Sequence, residues 1–474
     1  MSMHPTAHVV TDFELVGLRG PAHRVGVGNA DASPTSALLL HILQDTSGRV
    51  ATILFAHRVG TALEPECKTY RLAADVFNDL AMILDCLSPM VPAGVMRVSI
   101  LSAAGVLRAL CGVAGGSSKA SLSAHFAKWG NLAELNAKDS SQETVISLIG
   151  MLVGSVVVSH VTGFTTTWIA LLGLLALHLS MNYAAVRSVQ MTSLNRQRSN
   201  IIFSALFESD PNLSQSLDKR RSLGSDSDKT TIQRNSESTS TSPRPSQLSP
   251  PLPLPHKILT PAQVASQERI FPRANALTWT SSLPTGNQVA KLGSAEIGIS
   301  LAAVLKHANG YVPATPISPS ININQKASTA FYSAIPMTPL CNLFADEKYI
   351  LFLYPGSRWY RDSSPKWHAS ILLKKDCAVT DQLKGWAHAL LAARVLYMGF
   401  DPDASSLVKE VSNQTGSLSG VEISEKILRC VADTLKVLNE GDRFEGYLAA
   451  LRASGWELDV GALEIKGGNR LILD

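Results

Sequence analysis

Between Thr144 and Val186 the chain carries no Asp, Glu, Lys or Arg, and that run constrains everything around it. As one α-helix it would reach about 65 Å at about 1.5 Å per residue. A bilayer core is about 30 Å thick and is crossed by about 20 helical residues. Two helices and a turn fit better, and "SHVTGFTTTW" supplies the turn around Gly163. The arms are then about 144–163 and 167–186, a transmembrane hairpin. The alternative, a hairpin inside a soluble bundle, would have to bury both helices on all sides, which is unusual.

Flanking charge agrees with the hairpin. Lys128 and Lys138 precede it, Arg187, Arg196 and Arg198 follow it, and the connection holds none. By the positive-inside rule both ends then face the interior compartment. Trp168 and Tyr183 fall near the arm ends, where amphipathic rings favour the headgroup layer. Gly150 and Gly154 form a GxxxG, and Ala176, Ser180 and Ala184 recur every fourth residue, spacings that suit close helix packing in lipid. His178 falls near the middle of the second arm, where an ionisable residue is a candidate functional site by default. The reading favoured for it is a neutral imidazole hydrogen-bonded across helices.

The threshold of the run is crowded with polar residues. "SSQE", Ser140 to Glu143, has the capping-box form S-x-x-E. A cap and membrane anchor needs only one or two such groups. Here Asn131, Glu134, Lys138, Asp139, Gln142 and Glu143 stand together, which motivates a candidate polar site at the membrane mouth. Three further helices are expected at about 34–58, 67–87 and 95–114. The second sets Asp75, Asn78, Asp79 and Asp85 opposite Leu72, Val76, Leu80, Ile83 and Leu87. A solvated face is the favoured reading of this acidic stripe, with a cation site or pairing with Arg as the alternatives. "GVAGGSSKAS", from Gly112, lacks the GxxxxGK[ST] spacing of a phosphate loop and reads as close helix packing.

The chain has 474 residues, enough for two or three domains, and a net charge of only +4 with both signs mixed along it. That balance argues against a nucleic-acid partner. Mean hydropathy is +0.11, high for a chain that also holds a long Ser/Pro-rich stretch. Six cysteines stand far apart with no CxxC pair, so neither a disulfide framework nor a metal site is expected. "MSMHPTAHVVTDFELVG" does not read as a secretory signal or transit peptide.

Residues 208–345 read as a disordered linker centred on "STSTSPRPSQLSPPLPLP". From 346 to 474 a small α+β domain is expected, with strands at "KYILFLYP" and "HASILLKK", helices at about 380–398, 422–438 and 442–453, and a hairpin turning at Gly467 and Gly468. A loop between the first two strands, with Arg358, Trp359, Tyr360, Arg361 and Trp367, is a candidate partner surface, with core-edge packing an equal alternative.

Three long strings, "AHRVGTALEPECKTYRLAADVFNDLAMILDCLSP", "LCGVAGGSSKASLSAHFAKWGNLAELNAKDSSQETVISLIGMLVG" and "NYAAVRSVQMTSLNRQR", closely resemble the root UVB-sensitive (RUS) family over about residues 25–203. A looser similarity covers about 346–474, and residues 1–24 diverge. The resemblance implies an integral membrane protein, whose plant relatives are associated with UV-B responses, vitamin B6 balance and auxin transport. It brings no catalytic residue and no cofactor, and no motif of an enzyme stands out. The expected fold is mainly α: a helical integral-membrane core at 25–207, the linker, and the α+β domain. The expected function is that of a membrane scaffold or regulator with protein partners, another RUS-family member among them. A carrier of a small polar or anionic metabolite is the alternative.

Overall fold

Prolines 34, 65, 89 and 92 fall at the edges of apolar segments and leave the interiors free to stay helical. A computed structural model describes residues 34–92, 94–161, 163–226, 257–283, 286–304, 337–355, 367–399, 419–465 and 470–472. They form two compact units, one running to Met191 and including Arg269–Phe271, the other holding the rest.

The first unit contains α1 (Pro34–Leu63), α2 (Cys67–Leu87), α3 (Val95–Phe126), α4 (Leu132–His160) and α5 (Phe164–Ser188). α3 packs against α1, α2 and α4, while α5 packs against α2. Small residues bring these helices close. A methyl group at Gly48 of α1 would meet Ala109 at 3.6 Å, and one at Gly115 of α3 would meet Ala74 at the same distance. The Gly-rich run from Gly112 is therefore interior helix and lies within α3, which extends to Phe126 rather than ending near 114. α3, α4 and α5 are each long and apolar enough to cross a membrane.

Several expectations are corrected here. α4 begins at Leu132, so Ser140 is mid-helix and no capping box forms. Thr144 instead donates its hydroxyl to the Ser140 carbonyl. Gly150 and Gly154 are buried, but Ala176, Ser180 and Ala184 are exposed. The packed face of α5 is Leu171, Leu175, His178, Asn182 and Val186.

The second unit begins at Thr192, ahead of the expected boundary at 207, because α6 (Arg196–Ser209) is buried from Arg198 through Phe207 within it. α7 (Pro211–Asp226) and α8 (Pro261–Gln267) follow, the latter opened by a capping box from Thr260 and Gln263. Four strands, β1 (Ala276–Leu283), β2 (Gly286–Ile297), β3 (Tyr349–Pro355) and β4 (Trp367–Leu373), form one sheet in the order β1-β2-β4-β3. β1–β2 and β3–β4 are antiparallel, and β2–β4 is parallel. α9 (Met337–Leu343), α10 (Val379–Gly399), α11 (Ser419–Asn439) and α12 (Arg443–Ala453) complete the unit, with α6 and α10 packed on the sheet and α11 on α10. The span 208–345 is thus not one linker: it supplies two of four strands and three helices. Its stretch 227–256, Ser/Pro-rich from about Ser236, lies outside the described residues, as do Arg358–Arg361 and the turn at Gly467 and Gly468. Ile465 and Leu471, flanking that turn, bridge to Ile297 and Lys374. Trp367 opens β4 and is buried, so it is core rather than loop surface.

Several buried polar groups inside this unit are paired. Trp386 donates Nε1–H to Asn200 Oδ1 at 2.9 Å, tying α10 to α6. His388, wholly buried, sits 3.0 Å from the Tyr349 hydroxyl, with Nε2 beside Val431 O and Thr434 Oγ1. Burial lowers its pKa to about 3. The folded imidazole stays neutral, whereas the unfolded chain takes up a proton near the ordinary value of about 6.5. Stability fully present above about pH 6.5 is therefore lost as pH falls towards 3, by up to about 1.4 kcal/mol per pH unit. Urea unfolding midpoints measured across this window are expected to fall more steeply with acid in the wild type than in His388→Gln. Equal slopes would refute the assignment.

Candidate functional site

In a soluble amphipathic helix the charged face points to water. α2 instead buries its acids, together with Leu72 of its apolar face. Asp75, Asp79 and Asp85 are 7%, 3% and 3% exposed, while Leu80 is 44% exposed. The acidic stripe is therefore not a solvated face, and Asn78 beside it is half-buried. This inversion suits a helix whose outer surroundings are apolar and whose neighbours satisfy its charges.

Each buried acid meets a different group. Asp79 receives His178 of α5, with Nδ1 at 2.9 Å from Oδ1 and 3.1 Å from Oδ2. The other ring nitrogen, Nε2, is 2.8 Å from Asn182 Nδ2. A carboxylate beside Nδ1 accepts an N–H there, while the Asn182 amide can offer either its N–H or its carbonyl to Nε2. Asp85 pairs with Arg108 of α3, joining α2 to α3. Asp75 is close enough to Arg71, His178 and Asp79 to interact electrostatically, and its Oδ2 has no hydrogen-bond partner. Around this cluster Met82, Leu171 and Leu175 pack with Ile83, Cys86 and Trp168.

The polar threshold of α4 divides in two. Asp139 and Glu143 turn to Lys119 of α3, whose Nζ lies 2.9 and 2.7 Å from them. Lys138 instead pairs with Glu134 at 2.5 Å, both exposed, a weak interaction. Asn131 and Gln142 are exposed. The structure thus brings His178 to Asp79 and joins two of the six threshold residues to a lysine that sequence reasoning had not singled out. Asn182 was also missed. Its signal was available: two polar residues four apart, His178 and Asn182, in an uncharged helix.

Together these features define a class: a helical protein with membrane-length helices, charge buried among them and a separate α+β unit. Residues 8–210 match the family model described as "Vitamin B6 photo-protection and homoeostasis domain". Over that region the chain is similar to proteins of the root UVB-sensitive (RUS) family. It is 41% identical to RUS family member 1 of Dictyostelium discoideum over 182 residues, 38% of this chain and 34% of that protein. To Protein root UVB sensitive 3 of Arabidopsis thaliana it is 25% identical over 373 residues, 78% of this chain and 65% of the relative. Protein root UVB sensitive 6 of the same plant matches at 27% over 175 residues, 37% of this chain and 34% of the relative. In each case the chain spans less than two thirds of the relative's length. No solved structure matches.

Proposed function

We propose that this chain is an integral membrane protein whose helical unit carries a small polar metabolite across a bilayer and performs no catalysis of its own. The observation that supports this most is the inverted α2, with its acids turned inward and Leu80 outward. The surfaces of α4 and α5 agree: Leu148, Leu152 and Val156 on one, and Ile169, Leu172 and Leu177 on the other, are exposed. A charge held at membrane depth costs at least about 2.5–3.5 kcal/mol, so such groups persist where ions or solutes are handled. A scaffold needs no such interior. Of the candidate partner loop, Trp367 is buried core.

The family description names vitamin B6 homoeostasis, which makes pyridoxine-type vitamers the first solutes to test. The chain is expected to stay in the pellet after alkaline carbonate extraction and, reconstituted in liposomes, to take up pyridoxine or pyridoxal phosphate. Release into the carbonate supernatant would overturn the membrane assignment. Retention in the pellet without uptake of any vitamer would return the scaffold reading to first place.

A further inference from the structure

The charges around His178 do not balance. Asp75 and Asp79 bring two acids to the inward face of α2, and Arg71 is the cation near them. Asp85 and Arg108 form their own pair and leave nothing over. With a neutral imidazole the group Arg71, Asp75, Asp79 and His178 carries one excess negative charge. One proton brings it to zero, and an interior of low dielectric strongly favours that state.

The geometry offers two places for the proton. Asp75 is more than nine-tenths buried, and its Oδ2 bonds nothing. His178 is the other. Its Nε2 faces an amide, and turning the Asn182 side chain end for end presents Oδ1 in place of Nδ2. In that orientation Asn182 accepts from a protonated ring, while Asp79 accepts from Nδ1–H in either state. Asn182 therefore lets both forms of the imidazole remain fully bonded. Cys111 of α3 also lies within electrostatic reach of Asp75, Asp79, Arg71 and Arg108, Lys68 of α2 is buried, and His57 and Arg58 of α1 are exposed. Among the described residues no three His, Cys, Asp or Glu side chains converge as a metal ligand set, and a proton needs no such set.

We propose that Asp75, Asp79, His178 and Asn182 form a proton-binding site that takes up one proton and links the movement of solute to it. The binding stands on the geometry alone, and only its coupling to solute rests on the carrier reading above.

The test uses the full chain in lipid nanodiscs with isotope-labelled histidine rings, followed by nuclear magnetic resonance between about pH 5 and 9. The His178 signal is identified by its loss in His178→Gln. It is expected to titrate within this range, and Asp79→Asn should lower its midpoint by more than about one pH unit. Asp75→Asn should lower it as well, because the excess anion is gone. This second variant also guards against misfolding of the first, since Asp75 Oδ2 has no bond to lose. A His178 that keeps one state throughout, or a midpoint unmoved by both variants, would overturn the proposal. Titration as expected without vitamer uptake leaves the site standing and removes only the carrier reading. Uptake with a silent His178 removes only the site.

Discussion

Gly293→Val is expected to unfold the α+β unit. A Cβ at position 293 would lie far inside van der Waals contact of the Trp367 carbonyl oxygen and close to the rest of that peptide. Gly293 is paired with Trp367 in the parallel β2–β4 ladder, which alone joins the two hairpins of the sheet. A side chain that meets a flexible neighbour costs about 1–3 kcal/mol. Here the obstacle is backbone, and relief requires parting the strands. The expected loss exceeds that range and is a large share of the about 5–15 kcal/mol that holds a typical domain together. Loss of the cooperative urea transition of Trp386 fluorescence checks it. A variant within about 1 kcal/mol of wild type would show that β2 and β4 are not paired at this register.

Arg108→Leu should have the largest effect in the helical unit. It strands the Asp85 carboxylate, whose side chain is 2% exposed, against α3. Breaking a buried pair from one side costs about 3–5 kcal/mol, whereas replacing both partners by apolar groups is often neutral. The single variant is therefore expected to lose most of its folded yield in detergent, and the double variant Asp85→Leu with Arg108→Leu to recover much of it. The comparison separates a lost countercharge from a lost shape. If the double variant fares no better than the single one, the pair is not what joins these helices.

The long helices were legible because uninterrupted apolar segments, the first three preceded or opened by proline, leave few other folds. Burial was not. Asp75, Asp79 and Asp85 were correctly placed on one side of a helix, but the rule that acids face water was applied where neighbouring helices cover that side. His178 was recognised, yet nothing in its neighbourhood names Asp79 as its partner. Gly112–Gly116 read as close packing, but the third helix was ended there, near 114, whereas it runs on to Phe126. In the α+β unit, β3 and β4 read clearly as apolar runs. β1 and β2 were lost because the Ser/Pro-rich stretch before them coloured the whole span from 208 to 345. Trp279, buried in "ALTWTSSL", was the available hint.

The bond between His178 and Asp79 joins residues 99 apart. At a synthesis rate of about 5–20 residues per second, α2 leaves the ribosome on the order of 5–20 s before the helix that supplies its histidine partner is complete. Until then Asp79 lacks that partner, so α2 completes its polar packing only after α5 has been made.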